Sequence, residues 1–163
     1  MYISFNQLSD EARIWVYQAS RPFGDEEKAI ILREAQVFLA QWASHGSPLQ
    51  CSAALFYDQF LVLAVEESVQ NATGCAIDDS VRFIRELEQA FEVSLLDRTH
   101  IAFRRETMNW LVPLEQLQAT IQQGAIFADM LTFDNTITSK KELTDKWLVR
   151  AGDSWFRRYF HKQ

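Results

Sequence analysis

Phe60-Leu61-Val62-Leu63-Ala64-Val65 is an unbroken apolar run between Asp58-Gln59 and Glu66-Glu67. It is far too short to span a bilayer, which takes about 20 apolar residues. Its length and composition suit a strand, and a strand that does not alternate must be covered on both faces of its sheet. Cys51 to Tyr57 forms a second apolar run just before Asp58-Gln59. The short gap predicts a hairpin, although Asp-Gln is not the favoured Asn-Gly or Asp-Gly turn. Any fold for this chain must therefore cover a sheet twice.

Arg13 to Gln18 is rich in β-branched and aromatic residues and reads as a first strand. Ile14 and Val16 oppose Trp15 and Tyr17 on it, so it too needs cover on both faces. Ser20 to Gly24 breaks the strand. Asp25-Glu26-Glu27 then sets acids at the positive end of a helix, with Ile31, Ala35, Phe38 and Trp42 at helical spacing. The expected end is near Ser44, before His45-Gly46-Ser47-Pro48. A second helix is expected from about Asp79 to Phe91, capped by Asp78 or Asp79, with Phe83, Ile84, Leu87 and Phe91 on its apolar stripe. His100 to Arg104 follows as a fourth strand.

The order β-α-β-β-α-β predicts an α+β fold with a ferredoxin-like core over about 12–105. Two helices would cover one face of an antiparallel sheet whose first and third strands are central. Residues 106–163 read as an αβ extension of the same single domain, 1–163. It holds a strand at Met108 to Val112, a helix after Pro113 that Gly124 ends, and a short strand at Met130 to Phe133. A helix capped by Ser139 and Glu142 completes it. This extension, with Trp147, Trp155, Phe156 and Phe160, or a second copy in a homodimer, is expected to cover the other face.

The net charge of −6 sets the sheet against phosphate backbones and anionic lipid, and no RNA-recognition motif lies on the third strand. Arg157-Arg158 with Lys162 reads as a solvated tail. The start Met1-Tyr2-Ile3-Ser4-Phe5-Asn6 lacks a basic segment followed by an apolar one, and two cysteines make no disulfide framework. A cytoplasmic protein is expected, with no membrane insertion. The five glycines, at 24, 46, 74, 124 and 152, never cluster, so neither phosphate-cradling loop is present. His45, His100 and His161 are far apart and C-x-x-C is absent, so neither a metal nor another cofactor is expected.

Two segments are candidates for chemistry. Gly74-Cys75-Ala76-Ile77-Asp78-Asp79 leads into the second helix, whose free N–H groups would favour a thiolate at Cys75. The helix start could equally bind an anion, and the simpler reading is that Cys75 fills a small pocket while an Asp caps the helix. His45 suits the negative end of the first helix; it would alternatively be a base for Cys75, oriented by an acid such as Asp78 or Asp153. Trp15, Tyr17 and Gly74 are candidate ligand-cleft residues, with core packing the alternative for both rings. The expected function is a noncatalytic domain binding a partner or small ligand. The rival is a small cysteine enzyme or redox protein using Cys75 and His45. No partner can be named.

Five stretches carry a resemblance over nearly the whole chain: 12–18, Trp42-Ala43-Ser44-His45-Gly46, 74–78, Leu96-Asp97-Arg98 and Asp153-Ser154-Trp155. In these the chain resembles a family of small uncharacterised bacterial proteins often labelled "ABC transporter ATPase". The resemblance implies no chemistry that can be carried to particular residues. The label conflicts with the sequence, which has no Walker loop and no L-S-G-G-Q signature.

Overall fold

The structure is a computed structural model that describes residues 1–160; His161 and Lys162, the end of the expected basic tail, lie outside the described residues. Among the described residues the fold is α+β, with four α-helices and three antiparallel sheets. The chain forms two compact units. Unit 1 is Met1–Leu96 with Ile137–Glu142, and unit 2 is Asp97–Thr136 with residues 143–160.

Unit 1 contains β1 (Arg13–Gln18), α1 (Asp25–Gln41), β2 (Ala43–Ser44), β3 (Ser47–Pro48), β4 (Cys51–Phe56), β5 (Phe60–Val65) and α2 (Gly74–Phe91). Its main sheet has the order β1-β5-β4, so the unbroken apolar run is central and Leu63 pairs with Trp15 on one side and Ala53 on the other. All six β5 residues are buried. Trp15, Tyr17, Cys51, Ala53, Leu61, Leu63 and Val65 face α1 and α2, which contribute Ile31, Ala35, Leu39, Phe83, Ile84 and Leu87 to one core. On the other face Ile14, Ser52, Phe60, Val62 and Ala64 are buried as well. Part of that cover comes from the 3-10 turn Phe5–Gln7, where Phe5 packs edge-on to Phe56 with centroids 5.8 Å apart. The N-terminal segment had no place in the expected cover.

The fourth strand departs from the ferredoxin-like expectation. β6 (His100–Arg105) does not join β1. It lies in a four-stranded sheet of order β7-β6-β8-β9, with β7 (Met108–Pro113), β8 (Leu131–Phe133) and β9 (Leu148–Arg150). The physical reason is that both edges of β6 are taken: β7 pairs along its whole length, from His100↔Pro113 to Arg105↔Met108 across a two-residue turn, and β8 takes the other edge at Phe103↔Thr132 and Arg104↔Leu131. A short loop costs less entropy to close than a distant one. The outer edge of β1 is occupied instead by residues 138–140. Ile14 N–H donates to the Thr138 carbonyl at 3.0 Å, Lys140 N–H donates to the Ala12 carbonyl at 2.9 Å, and Arg13 sits opposite Ser139 in an antiparallel bridge.

Two helix boundaries also differ. α1 stops at Gln41, and His45 and Gly46, with φ of 52° and 80°, turn the chain into the β2–β3 hairpin with Ser44 opposite Ser47. Two left-handed residues in succession are the backbone of a type I′ turn. α2 starts at Gly74, five residues earlier than expected, because Thr73 caps it by accepting the Ala76 N–H. Asp78 and Asp79 lie inside the helix and cap nothing.

Unit 2 holds its own core of Phe103, Val112, Leu117, Ile121, Ile126, Met130, Ala151 and Phe156, with α3 (Leu117–Gln122) packed into it. Phe156 packs edge-on against Phe103, centroids 5.9 Å apart, and Trp155 is exposed. α4 (Lys140–Asp145) follows Ser139, whose N–H and hydroxyl both donate to Glu142 at 3.2 Å; the Glu142 half of the expected capping box forms, while the Ser139 hydroxyl caps no helix N–H. No helix among the described residues is long and apolar enough to cross a membrane.

Candidate functional site

α1 and α2 run antiparallel. The end of α1 meets the start of α2, where the Trp42 indole N–H donates to the Ala76 carbonyl at 2.8 Å. Midway, Phe38 stacks on Phe83. Just before α1 begins, Phe23 packs edge-on against Phe91, the last residue of α2, and Arg21 donates to the Phe91 carbonyl at 2.8 Å. Arg21 also grips both carboxylate oxygens of Glu27 at 2.9 and 2.8 Å. The Glu27 carboxylate is held down to about 2, first by Arg21 and then by the Gly24 N–H. The two helices are thus fixed to each other at both ends and in the middle.

Their outer faces leave a groove of about 470 Å³. Glu34, Val37, Phe38 and Gln41 line it from α1, and Asp79, Arg82, Phe83 and Glu86 from α2, each set at i, i+3, i+4, i+7 spacing. Trp42 and Ala43 close one end. The floor is aromatic: the Phe38 and Phe83 rings are parallel at 4.7 Å, and Trp42 tilts against Phe38 at 5.4 Å. Val37 is 56% exposed on the wall. Arg82 pairs with Asp79 at 3.2 Å. Glu34 and Glu86 have no hydrogen bond or ion pair among the described residues.

The residues singled out from the sequence fall elsewhere. Cys75 is exposed in the first turn of α2, Asp78 is exposed one turn on, and His45 is exposed at the tip of the β2–β3 hairpin. No hydrogen bond or ion pair joins any two of the three, and none of them lines the groove. Gly74 opens α2 with free space around it. Trp15 is half-buried, edge-on to Trp42 at 6.1 Å with Arg13 over its ring, and Tyr17 is buried in the core; both lie beneath the helices. Asp153 is exposed in the 3-10 turn Ala151–Asp153 of unit 2.

The second cysteine is shielded from solvent. Cys51 is fully buried on β4, its thiol donates to the Leu39 carbonyl at 3.3 Å, and burial pushes it up to about 11. Glu66 is the one buried carboxylate in unit 1. It accepts the Ser9 N–H and hydroxyl, each at 2.8 Å, and the Ser68 hydroxyl at 3.2 Å. The Ser9 N–H leads in holding it below the usual carboxylate range, and the bonds tie the N-terminal segment to the end of β5. This is a structural clamp. No group of three or more His, Cys, Asp or Glu able to hold a metal occurs among the described residues.

Sequence reasoning passed over the groove because Phe38, Trp42 and Phe83 read as stripe residues packing into the core, and the polar lining residues beside them as the solvated faces. Val37, an apolar residue next to Phe38 but off the stripe of α1, was the available clue. Comparison with protein-family models, with curated proteins and with solved structures gave no match.

Proposed function

We propose that this protein is a noncatalytic binding domain whose ligand seat is the groove between α1 and α2. The observation that carries this reading is an open, aromatic-floored cavity walled by an exposed valine, on helices fixed at both ends. Its volume falls within the roughly 300–1,000 Å³ range of small-molecule sites. Unit 1 is read as a ferredoxin-like layout in which residues 138–140 take the fourth strand's place, leaving the outer helical face free for recognition. The cysteine-enzyme reading lacks support from geometry, since His45 and Asp78 make no bond to Cys75.

The test is a fragment screen read by amide NMR. Shifts clustering on Val37, Gln41, Ala43, Arg82 and Glu86 are expected. Hits that cluster around Cys75 and His45, or an absence of hits at the groove, would overturn the reading.

A further inference from the structure

We infer that the groove between α1 and α2 selects small organic cations: an ammonium or guanidinium group held between Glu34 and Glu86, with the apolar body lying on Phe38, Phe83 and Val37. This rests on the groove being a ligand seat and adds the chemical class of the ligand.

The argument starts from register. Because the helices are antiparallel and Phe38 stacks on Phe83, steps toward the start of α1 and toward the end of α2 lead the same way along the groove. Glu34 lies four residues before Phe38 and Glu86 three residues after Phe83, so each is one turn from the stack in that shared direction. Both line the groove, from opposite walls. Two carboxylates are thus set on facing helices at one level, with no cation assigned to either.

Charges elsewhere in the lining do not cancel them. Arg82, the single cationic lining residue, directly precedes Phe83; it pairs with Asp79 at 3.2 Å and lies one helical turn from Glu86, so it offsets one of the three lining carboxylates. The lining therefore holds three carboxylates and one cation, a net negative charge, with Glu34 and Glu86 on the same side of the phenyl floor. A ligand with a positive head and a flat apolar body matches that lining. An anionic one meets two carboxylates, and like charges brought together disfavour binding.

The probes are benzylamine, benzyl alcohol and benzoate, matched in shape and differing in charge, titrated into the full chain and followed by the amides of Val37, Phe38 and Glu86. Benzylamine should bind most tightly and benzoate least. Glu34→Gln and Glu86→Gln should each weaken benzylamine by up to about fivefold, the range of an exposed ion pair, and leave benzyl alcohol unchanged. On the unaltered protein, raising the salt should weaken benzylamine and not benzyl alcohol; this arm needs no variant to fold. Equal binding of all three probes would end the cation inference while leaving the groove as a seat. Shifts from none of them at the groove would count against both.

Discussion

Phe38 and Phe83 stack with parallel rings and centroids 4.7 Å apart, one from each helix, with Phe83 buried and Phe38 half-buried. The pair both holds α1 to α2 and forms the groove floor. Phe83→Ala should therefore lose about 3–5 kcal/mol, the usual range for a buried phenylalanine, and Phe38→Ala less. Urea unfolding followed by circular dichroism measures both. A greater loss at Phe38 would contradict this division between packing and floor.

The Arg21–Glu27 pair predicts a particular acid limb. Glu27 is held down to about 2 in the folded chain, below the roughly 4.3 of a free glutamate. Its contribution is complete above the unfolded value and fades as pH falls from there toward about 2. Glu27→Gln should flatten the stability profile in that window and leave the slope above pH 5 unchanged. Urea midpoints between pH 2.5 and 6 give the comparison; parallel profiles would show that the pair contributes nothing.

Glu66→Ala would leave the Ser9 N–H without its acceptor. A loss of about 1–3 kcal/mol is expected from an orphaned donor in a mostly buried place. Amide exchange at Ser9 should speed up while exchange at β5 holds. Unaltered protection of Ser9 would show that the N-terminal segment is anchored by other means.

The two cysteines should separate completely under iodoacetamide at neutral pH. Cys75 is exposed and should be alkylated in the native protein, while Cys51, buried and pushed up to about 11, should label only after unfolding. Peptide mass spectrometry reads both sites. Labelling of Cys51 at the rate of Cys75 would show that β4 opens readily. Cys75→Ser should leave ligand binding at the groove unchanged.

Gly152 has no room for a methyl group. A Cβ there would lie 2.9 Å from the Ala128 Cβ and 3.3 Å from its carbonyl oxygen, which also accepts the Gly152 N–H at 2.9 Å. Gly152→Ala should destabilise unit 2 by about 1–3 kcal/mol, the usual cost of overpacking. Gly74→Ala, at an open helical position, serves as the control and should be neutral or slightly stabilising. Equal midpoints for the two variants would refute the steric reading.

The elements were more legible than their pairing. Arg13–Gln18, the hairpin at Cys51–Phe56 and Phe60–Val65, and the β6–β7 pair all lie where β-branched and aromatic runs place them. The demand that both faces of Phe60–Val65 be buried is met. Thr73 was passed over as a cap because Asp78 and Asp79 are equally good capping types nearer the apolar stripe, and spacing alone does not choose between them. The partner on the outer edge of β1 was unreadable because the three residues supplied from 138–140 carry no strand pattern of their own. The groove was not legible: Phe38 and Phe83 read as core-stripe residues, and their part in a groove depended on which helix lay alongside.

The edge of β1 also sets a timetable for synthesis. Residues 138–140, which close that edge, are made more than forty residues after Leu96, so a ribosome completes β1, β4, β5 and both long helices with one strand flank still open. Until those three residues emerge, Ile14 N–H and the Ala12 carbonyl lack their native partners, and another nascent copy can pair there instead. The vulnerable interval for this chain is therefore late in translation, after the apolar strand has been made and before its sheet is sealed.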